Sequence, residues 1–517
     1  MAKHRTVLIT GATDGIGLAL ARYYQQRGSR LILVGRKSLH ELHDPLFNDT
    51  NYCQVDLAAA DAPLHISQWL DAFSLYELDL VIQNAATAYI GETSAQNYEH
   101  IQYMLKVNLH APLQLTHALL PRLLNAKGKV VFIGSSRAQL PSPDYAVYAA
   151  SKMALDGFVR SLQIELKAAN VPIEAQMIHP GATRTGLHGK AGMNSQATSK
   201  FAAPEAMANQ IAKAIQSTKR SVTLASGERW LGSIHTHLPG TVESMMKKGR
   251  GRKNKSDPKH VVITGAAQGI GKALAAEFAE AGYVITGIDV DTKSAMYAQA
   301  ELINDHGAQV RFALGDLANA DDLQRIVESL ATRPPIDVLI HNAGISAVGP
   351  FVMSNIRQQI QVLNVNLGAP LALTAELLRA KKFTDGATIA FMSSLSHFVS
   401  YPGAAVYAAS KDGLSAYASA LSVGLAKEGF NILTVYPGPT KTEHARRYSP
   451  DNSKEEQRMD PEELAERIYK AVKARKRFLI PGMKNWGMAI AAKWFPGRAE
   501  EVMKREVFIK LAAKRRK

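Results

Sequence analysis

Two pairs of side chains in this 517-residue chain have the types and spacing for proton chemistry: Tyr148 with Lys152, and Tyr407 with Lys411. Four positions apart on a helix, a phenol and an ammonium share one face. With 17 tyrosines, about one such pair is expected by chance at ordinary lysine usage, so spacing alone does not decide. Matched surroundings add weight. Val147-Tyr148-Ala149-Ala150-Ser151-Lys152 recurs as Val406-Tyr407-Ala408-Ala409-Ser410-Lys411. Upstream of each, an apolar strand candidate ends in hydroxyls, Gly134-Ser135-Ser136 and Met392-Ser393-Ser394. Stretches rich in Ala, Leu, Ser and Lys at 149–166 and 408–427 predict the helices that present the pairs.

A second chemical signal is a pair of glycine turns, Thr10-Gly11-Ala12-Thr13-Asp14-Gly15-Ile16-Gly17 and Thr264-Gly265-Ala266-Ala267-Gln268-Gly269-Ile270-Gly271. Each follows an apolar strand and precedes a helical stretch, 18–26 and 272–281. Glycines permit the tight turn and close backbone approach, and the helix N-terminus faces a pyrophosphate, as in a dinucleotide site. The end of the next strand separates the two copies. Gly287-Ile288-Asp289 places a carboxylate where it would accept hydrogen bonds from the adenosine ribose and repel a 2′-phosphate. The first copy has Gly35 there, followed by Arg36 and Lys37, and a guanidinium suits a 2′-phosphate. The expectation is NADP(H) in the first half and NAD(H) in the second, although the first glycine turn adds no basic residue of its own.

The elements that must position these groups repeat with a period of roughly 255–260 residues, too long for a solenoid. The chain is read as a duplicated domain: 1–245, a basic linker 246–258, and 259–517. The linker is nearly free of apolar residues, so it reads as a solvated connector or as an anion-binding strip. Apolar runs such as 31–34, 80–82 and 130–133, matched by 284–288, 338–340 and 388–392, alternate with helical patterns. That predicts an α/β fold with two Rossmann-type, doubly wound parallel-sheet domains in tandem.

Composition, 46% hydrophobic and 21% charged, excludes a disordered chain. The single cysteine, Cys53, excludes an intrachain disulfide, fits a reducing compartment and reads as a buried structural thiol on a strand. The first strand candidate, at 6–10, leaves no room for a signal peptide, and no apolar run approaches a membrane span. The expected location is the cytoplasm. A net charge of +16 allows attraction to anionic partners without choosing among them. No metal site and no specific nucleic-acid partner is expected.

With these motifs in hand, each half resembles a short-chain dehydrogenase/reductase, and together the resemblances span nearly the whole chain. Further matching motifs are Asp56-Leu57 and Asp316-Leu317, Asn84-Ala85-Ala86 and Asn342-Ala343-Gly344, Asn108 and Asn366, and the turns Pro180-Gly181 and Pro437-Gly438. The resemblance implies strand order 3-2-1-4-5-6-7 and an internal pseudo-dimer formed by long helices. It implies that Tyr148 and Tyr407 act as general acid/base. Lys152 and Lys411, with the nicotinamide cation, lower a phenol pKa that is otherwise near 10. Ser136 and Ser394 position the reacting oxygen, Asn108 and Asn366 hold a water in a proton relay, and Thr185 and Thr442 contact the cofactor. Two departures stand out. Ala86 replaces a glycine. Ser394 lies 13 residues before Tyr407 but Ser136 only 12 before Tyr148. Either the first loop is one residue shorter or Ser135 is the functional hydroxyl; Ser136 is preferred as the second serine of its pair.

The segments 187–201 and 444–456 are expected to set substrate choice. Aromatic stretches at 230–234 and 486–495 fit either a membrane interface or a pocket cover. Three functions remain open. One is a bifunctional enzyme acting on a hydrophobic alcohol or ketone by oxidation in one half and reduction in the other, a net epimerisation or two-step redox. Another is two fused independent reductases. The last is a chain in which one half is a non-catalytic dinucleotide-binding scaffold.

Overall fold

The computed structural model describes residues 5–191, 201–224 and 259–511. The expected linker 246–258 and the stretch 230–234 lie outside the described residues.

Runs such as Val7-Leu8-Ile9 and Val261-Val262-Ile263 are apolar at every position, and all six side chains are buried. A strand without polar alternation needs cover on both faces, which a parallel sheet with flanking helices provides. The first sheet contains β1 (Thr6–Thr10), β2 (Arg30–Gly35), β3 (Tyr52–Gln54), β4 (Leu80–Gln83), β5 (Lys129–Ile133), β6 (Glu174–His179) and β7 (Ser221–Thr223). Its order is β3-β2-β1-β4-β5-β6-β7, with every pairing parallel. The second contains β8 (His260–Thr264), β9 (Val284–Asp289), β10 (Val310–Leu314), β11 (Ile336–His341), β12 (Phe383–Met392), β13 (Asn431–Val435) and β14 (Phe478–Leu479), in the same order and again all parallel. In each sheet the order reverses beside the first strand, and this opens a crevice at the strand ends. Cys53 lies on β3 and is buried, and burial pushes its thiol up to about 12.

The helices after the glycine turns run Gly15–Gln25 and Gly269–Glu280, and the tyrosine helices run Ala146–Ala168 and Ala405–Gly424. All four begin before the expected starts, so Gly15, Gly17, Gly269, Gly271 and both tyrosines belong to first helical turns.

The two tyrosine helices pack side by side and form the core of the contact between the halves. Their approach is close: a Cβ on Gly413 would come within 2.9 Å of Ala150 O and 3.0 Å of Ala154 Cβ. One buried apolar cluster is continuous across the contact, from Leu8 and Phe158 to Phe351 and Tyr417. The remaining face of each sheet has its own cluster. Polar bonds fix the relative placement. Glu165 accepts hydrogen bonds from Phe351 N at 2.7 Å and Gly403 N at 2.6 Å. Arg160 pairs with Asp412 at 2.6 Å. The internal pseudo-dimer is thus built through the long helices.

After β14 the chain forms helices Met483–Trp494 and Pro496–Met503 and continues helical through 511. This tail reaches the first half, where Glu500 pairs with Arg220 at 2.9 Å. Among the described residues no helix is long and apolar enough to cross a membrane.

Candidate active site

Strand ends set the register of the two sites. Lys152 Nζ donates to Ile133 O at 3.0 Å, and Lys411 Nζ donates to Met392 O at 2.8 Å. The next amides, Gly134 N and Ser393 N, each donate to the neighbouring strand at 2.8 Å, to Ile178 O and Val435 O. Ser136 N then reaches Pro180 O at 3.4 Å, and Leu395 N reaches Pro437 O at 3.2 Å. Gly134 therefore corresponds to Ser393, Ser135 to Ser394, and Ser136 to Leu395. The same offset holds at the tyrosines and lysines, so the intervening loop is not shorter in the first half. This corrects the preference for Ser136: in place, Ser135 is the counterpart of Ser394. Burial agrees, with Ser136 and Leu395 buried and Ser135 and Ser394 half-buried.

The second site shows the reacting groups in contact. The Ser394 hydroxyl and Tyr407 phenol are hydrogen-bonded. Burial raises the Tyr407 pKa, and the Ser394 bond opposes that rise. The Lys411 ammonium lies 5.6 Å from the Tyr407 ring centre. Burial lowers both Lys152 and Lys411 to about 8.

Asn108 and Asn366 each sit in a π-turn, Lys106–His110 and Asn364–Gly368, a local widening common at functional sites. Asn108 accepts from Thr87 N and donates to Thr87 O, both at 2.8 Å. Asn366 does the same with Ile345, at 2.8 and 2.9 Å. Their side-chain amides are committed to the loop after Asn84 and Asn342. Ala86 needs no left-handed backbone, although a methyl at this position is close-fitting. A Cβ on its counterpart Gly344 would stand 3.3 Å from Asn366 Oδ1 and 3.6 Å from Lys411 Nζ, and Gly344 has no left-handed φ.

In the first half a cleft of about 500 Å³ is lined by Gly11, Thr13, Asp14, Gly15, Ile16, Arg36, Asp56, Leu57, Asn84, Ser135, Ser136, Tyr148, Lys152 and Thr185. Gly17 and Asn108 are buried. The glycine turns need their glycines: φ is +65° at Gly11, +50° at Gly15, +66° at Gly265 and +52° at Gly269. Asn84 Nδ2 and Asn342 Nδ2 brace the turns by donating to Thr10 O at 3.0 Å and Thr264 O at 3.1 Å. Neither following helix has a side-chain cap bond or an acidic residue in its first turn. Their N-termini thus keep backbone donors for a pyrophosphate. The residues fit a dinucleotide.

The adenosine ends differ. Pairing of Thr10 with Val34 and of Thr264 with Ile288 makes Gly35 the counterpart of Asp289. A Cβ on Gly35 would lie 2.7 Å from Thr13 Cγ2 and 2.8 Å from the Tyr52 hydroxyl, so that space is filled. Arg36 donates to the Tyr103 hydroxyl at 2.7 Å, which donates to Asp56 at 3.3 Å. Asp289 accepts from Ala267 N at 2.9 Å, Val290 N at 2.9 Å and Asp291 N at 3.1 Å. Gln268 donates to Ser294 at 2.6 Å. Asp316 accepts from Ala318 N at 2.9 Å, and Leu317 is buried. Thr442 caps its helix by accepting from Ala445 N at 3.1 Å, and its methyl would stand 3.3 Å from a Cβ on Gly269. Ile270 and Gly271 lie in the first turn of the helix that follows, with Gly271 buried.

Two neighbours carried no recognisable sequence signal, and two others open the segments expected to set substrate choice. Tyr145 and Tyr401 stand beside Tyr148 and Tyr407, with ring centres 6.1 and 6.3 Å away, yet they occupy non-equivalent positions. Leu187 lines the first cleft, while His444 lies close enough to Lys411 to feel its charge. Burial and then Lys411 and Arg447 lower His444 to about 4. A chain of polar contacts crosses between the halves: His179–Asp156 at 3.2 Å, Asp156–Arg160 at 3.3 Å, Arg160–Asp412 at 2.6 Å and Asp412–His397 at 2.7 Å. Among the described residues no cluster of three His, Cys, Asp or Glu side chains is placed to hold a metal ion.

The family model for the short chain dehydrogenase matches twice, over residues 5–196 and 259–453. Dehydrogenase/reductase SDR family member 7B of Bos taurus is 29% identical over 49% of this chain and 84% of its own length. An uncharacterized oxidoreductase, YxnA of Bacillus subtilis, is 26% identical over 48% of this chain and 72% of its own. A short-chain dehydrogenase from Sphingobium yanoikuyae, solved in complex with NADPH, is 25% identical, covering 47% of this chain and 95% of that one with a TM-score of 0.40. The chain belongs, in each of its halves, to the short-chain dehydrogenase family and is an NAD(P)-dependent oxidoreductase.

Proposed function

We propose that the two halves are separate alcohol/ketone sites, the first using NADP(H) and the second NAD(H), within one bifunctional chain. The observation that carries this is the repetition of the Ser–Tyr–Lys constellation at one constant offset. A bound nicotinamide dinucleotide supplies or accepts the hydride at C4 of its ring. The protein's part is to place the substrate oxygen and move one proton. Ser135 and Ser394 donate to that oxygen; Tyr148 and Tyr407 give it a proton in reduction and take one in oxidation. Lys152 and Lys411, below about pH 8, add positive charge that favours the phenolate.

Gly35 with Arg36 on one side, and Asp289 on the other, support the cofactor split. Opposite cofactors let one half oxidise and the other reduce the same hydrophobic substrate, giving epimerisation or two successive redox steps. The unlike rims, Leu187 with Tyr145 against His444 with Tyr401, favour the second reading, two independent reductases. Peripheral contact of the stretch 486–495 with a lipid surface belongs to this proposal, as does a cytoplasmic location.

The test is cofactor turnover over a panel of hydrophobic alcohols and ketones by wild type, Tyr148→Phe and Tyr407→Phe. Each variant is expected to lose about a thousandfold in one cofactor's turnover only. Loss of all turnover in one variant reduces the chain to a single active half with a dinucleotide-binding scaffold. Product analysis with both cofactors present separates relay chemistry from independent reductases.

A further inference from the structure

We propose that the outward face of the helix Met483–Trp494 docks on an anionic lipid bilayer, and that the second site draws its alcohol or ketone from that bilayer. The proposal rests on reading the second half as an alcohol/ketone site.

The helix is inverted relative to an ordinary surface helix, which buries its large apolar residues. Met483, Trp486, Ile490 and Trp494 follow one another at spacings of three, four and four, and so share a face. They are 92%, 58%, 36% and 72% exposed, and Phe495 beyond them is 57% exposed. The side against the protein carries alanines instead: Ala489 and Ala492 are buried. Scattered exposed apolar residues are ordinary, but a contiguous stripe with two tryptophans marks a contact surface.

Charge selects the occupant. The segment 483–498 contains Lys484, Lys493 and Arg498 and no acidic residue. The chain carries +16, so a second copy would be repelled, whereas an anionic lipid surface attracts. Twelve helical residues span about 18 Å, short of the roughly 30 Å hydrocarbon core. Such a helix lies in the interface, with the aromatic rings at headgroup depth.

Position links the face to the site. A Cβ on Gly438, in the Pro437-Gly438 turn, would come 2.5 Å from Asn485 Nδ2. Lys493 Nζ lies 5.3 Å from the centre of the Phe398 ring, four residues after Ser394. One flank of the helix therefore borders the second site while the other faces outward. A lipophilic substrate leaving the bilayer along it reaches that site with little exposure to water.

The full-length chain is floated with phosphatidylcholine vesicles, with and without phosphatidylserine. Flotation with the anionic vesicles is expected, with loss in Trp486→Glu/Trp494→Glu and weakening in Lys484→Glu/Arg498→Glu. In a Tyr148→Phe background, where only the second site reports, the tryptophan double variant should lose turnover of a long-chain ketone dissolved in vesicles. It should keep turnover of a short water-soluble ketone, which also shows that it folds. Absence of wild-type flotation, or flotation unchanged in the tryptophan variant, overturns the docking face. Self-association that the tryptophan variant abolishes, without vesicle binding, assigns the face to a second copy and also overturns it. Undiminished turnover of the vesicle-borne ketone by the non-floating variant overturns substrate delivery. If Tyr407→Phe leaves NAD(H) turnover intact, the catalytic reading fails while flotation still decides the docking surface.

Discussion

In the first half the lysine ammonium lies 3.0 Å from Ile133 O; in the second it lies 2.8 Å from Met392 O. The asparagine clamps on Thr87 and Ile345 agree as closely. At the far end of each cleft the agreement stops: Gly35 crowded by Thr13 and Tyr52 faces Asp289 held by three backbone amides. The rims differ again, with Leu187 and Tyr145 in the first half and His444 and Tyr401 in the second. Proton and hydride transfer require a fixed geometry within fractions of an ångström, whereas recognition of a ribose, a phosphate or a substrate tail can be rebuilt one side chain at a time. The duplicated halves have kept the first and diverged in the second.

The contact between halves is itself one-sided, and breaking it should give the largest effect on stability. Glu165 belongs to the first half alone; Gly424 occupies its place in the second. Glu165→Ala leaves the buried Phe351 and Gly403 amides without a partner, and about 3 kcal/mol of destabilisation is expected in denaturant unfolding. Burial, opposed by those two amides, pushes the Glu165 carboxyl from 4.5 up to about 7. A raised folded-state pKa means that this contribution is fully present below about pH 4.5 and is lost as the pH rises through about 7. The wild type should therefore lose stability across that window relative to the variant.

The serine register gives a sharper comparison. Ser135→Ala is expected to lower NADP(H) turnover about a hundredfold, as Ser394→Ala does for NAD(H), while Ser136→Ala falls well short of either. Equal losses in Ser135→Ala and Ser136→Ala would mean that the halves do not use equivalent hydroxyls.

At the adenosine end, Asp289→Ser should shift the second site toward NADPH by about tenfold in relative affinity, or 1.4 kcal/mol. Titration of each site by cofactor fluorescence, with the other silenced by its Tyr→Phe change, checks this. Gly35→Asp is not its mirror image, because Tyr52 fills the space.

The smallest difference between halves is expected in pH dependence. Lys152 and Lys411 are both lowered to about 8 by burial, so both carry charge below that pH and lose it above. Ketone reduction should fall in both halves as the pH rises through about 8, with midpoints that coincide in the two single-site variants.

The amino-acid sequence by itself determined the duplication, the strand–helix alternation, the glycine turns and both Tyr–Lys pairs. These signals are local: a period of apolar residues, a spacing on one helix, a turn that only glycine permits. It also displayed the Gly35–Asp289 contrast, because both residues end a recognisable strand. Tertiary structure decided the rest. Which serine is the counterpart of Ser394 depends on hydrogen bonds from the end of β5 to β6, and counting backward from Tyr148 did not settle it. The polar chain from His179 to His397 and the anchoring by Glu165 join residues of both halves, so no window of sequence contains them. The aromatic stripe of Met483–Trp494 was visible as composition. Whether it faced inward or outward depended on which side the protein covered, and the protein covered the alanines.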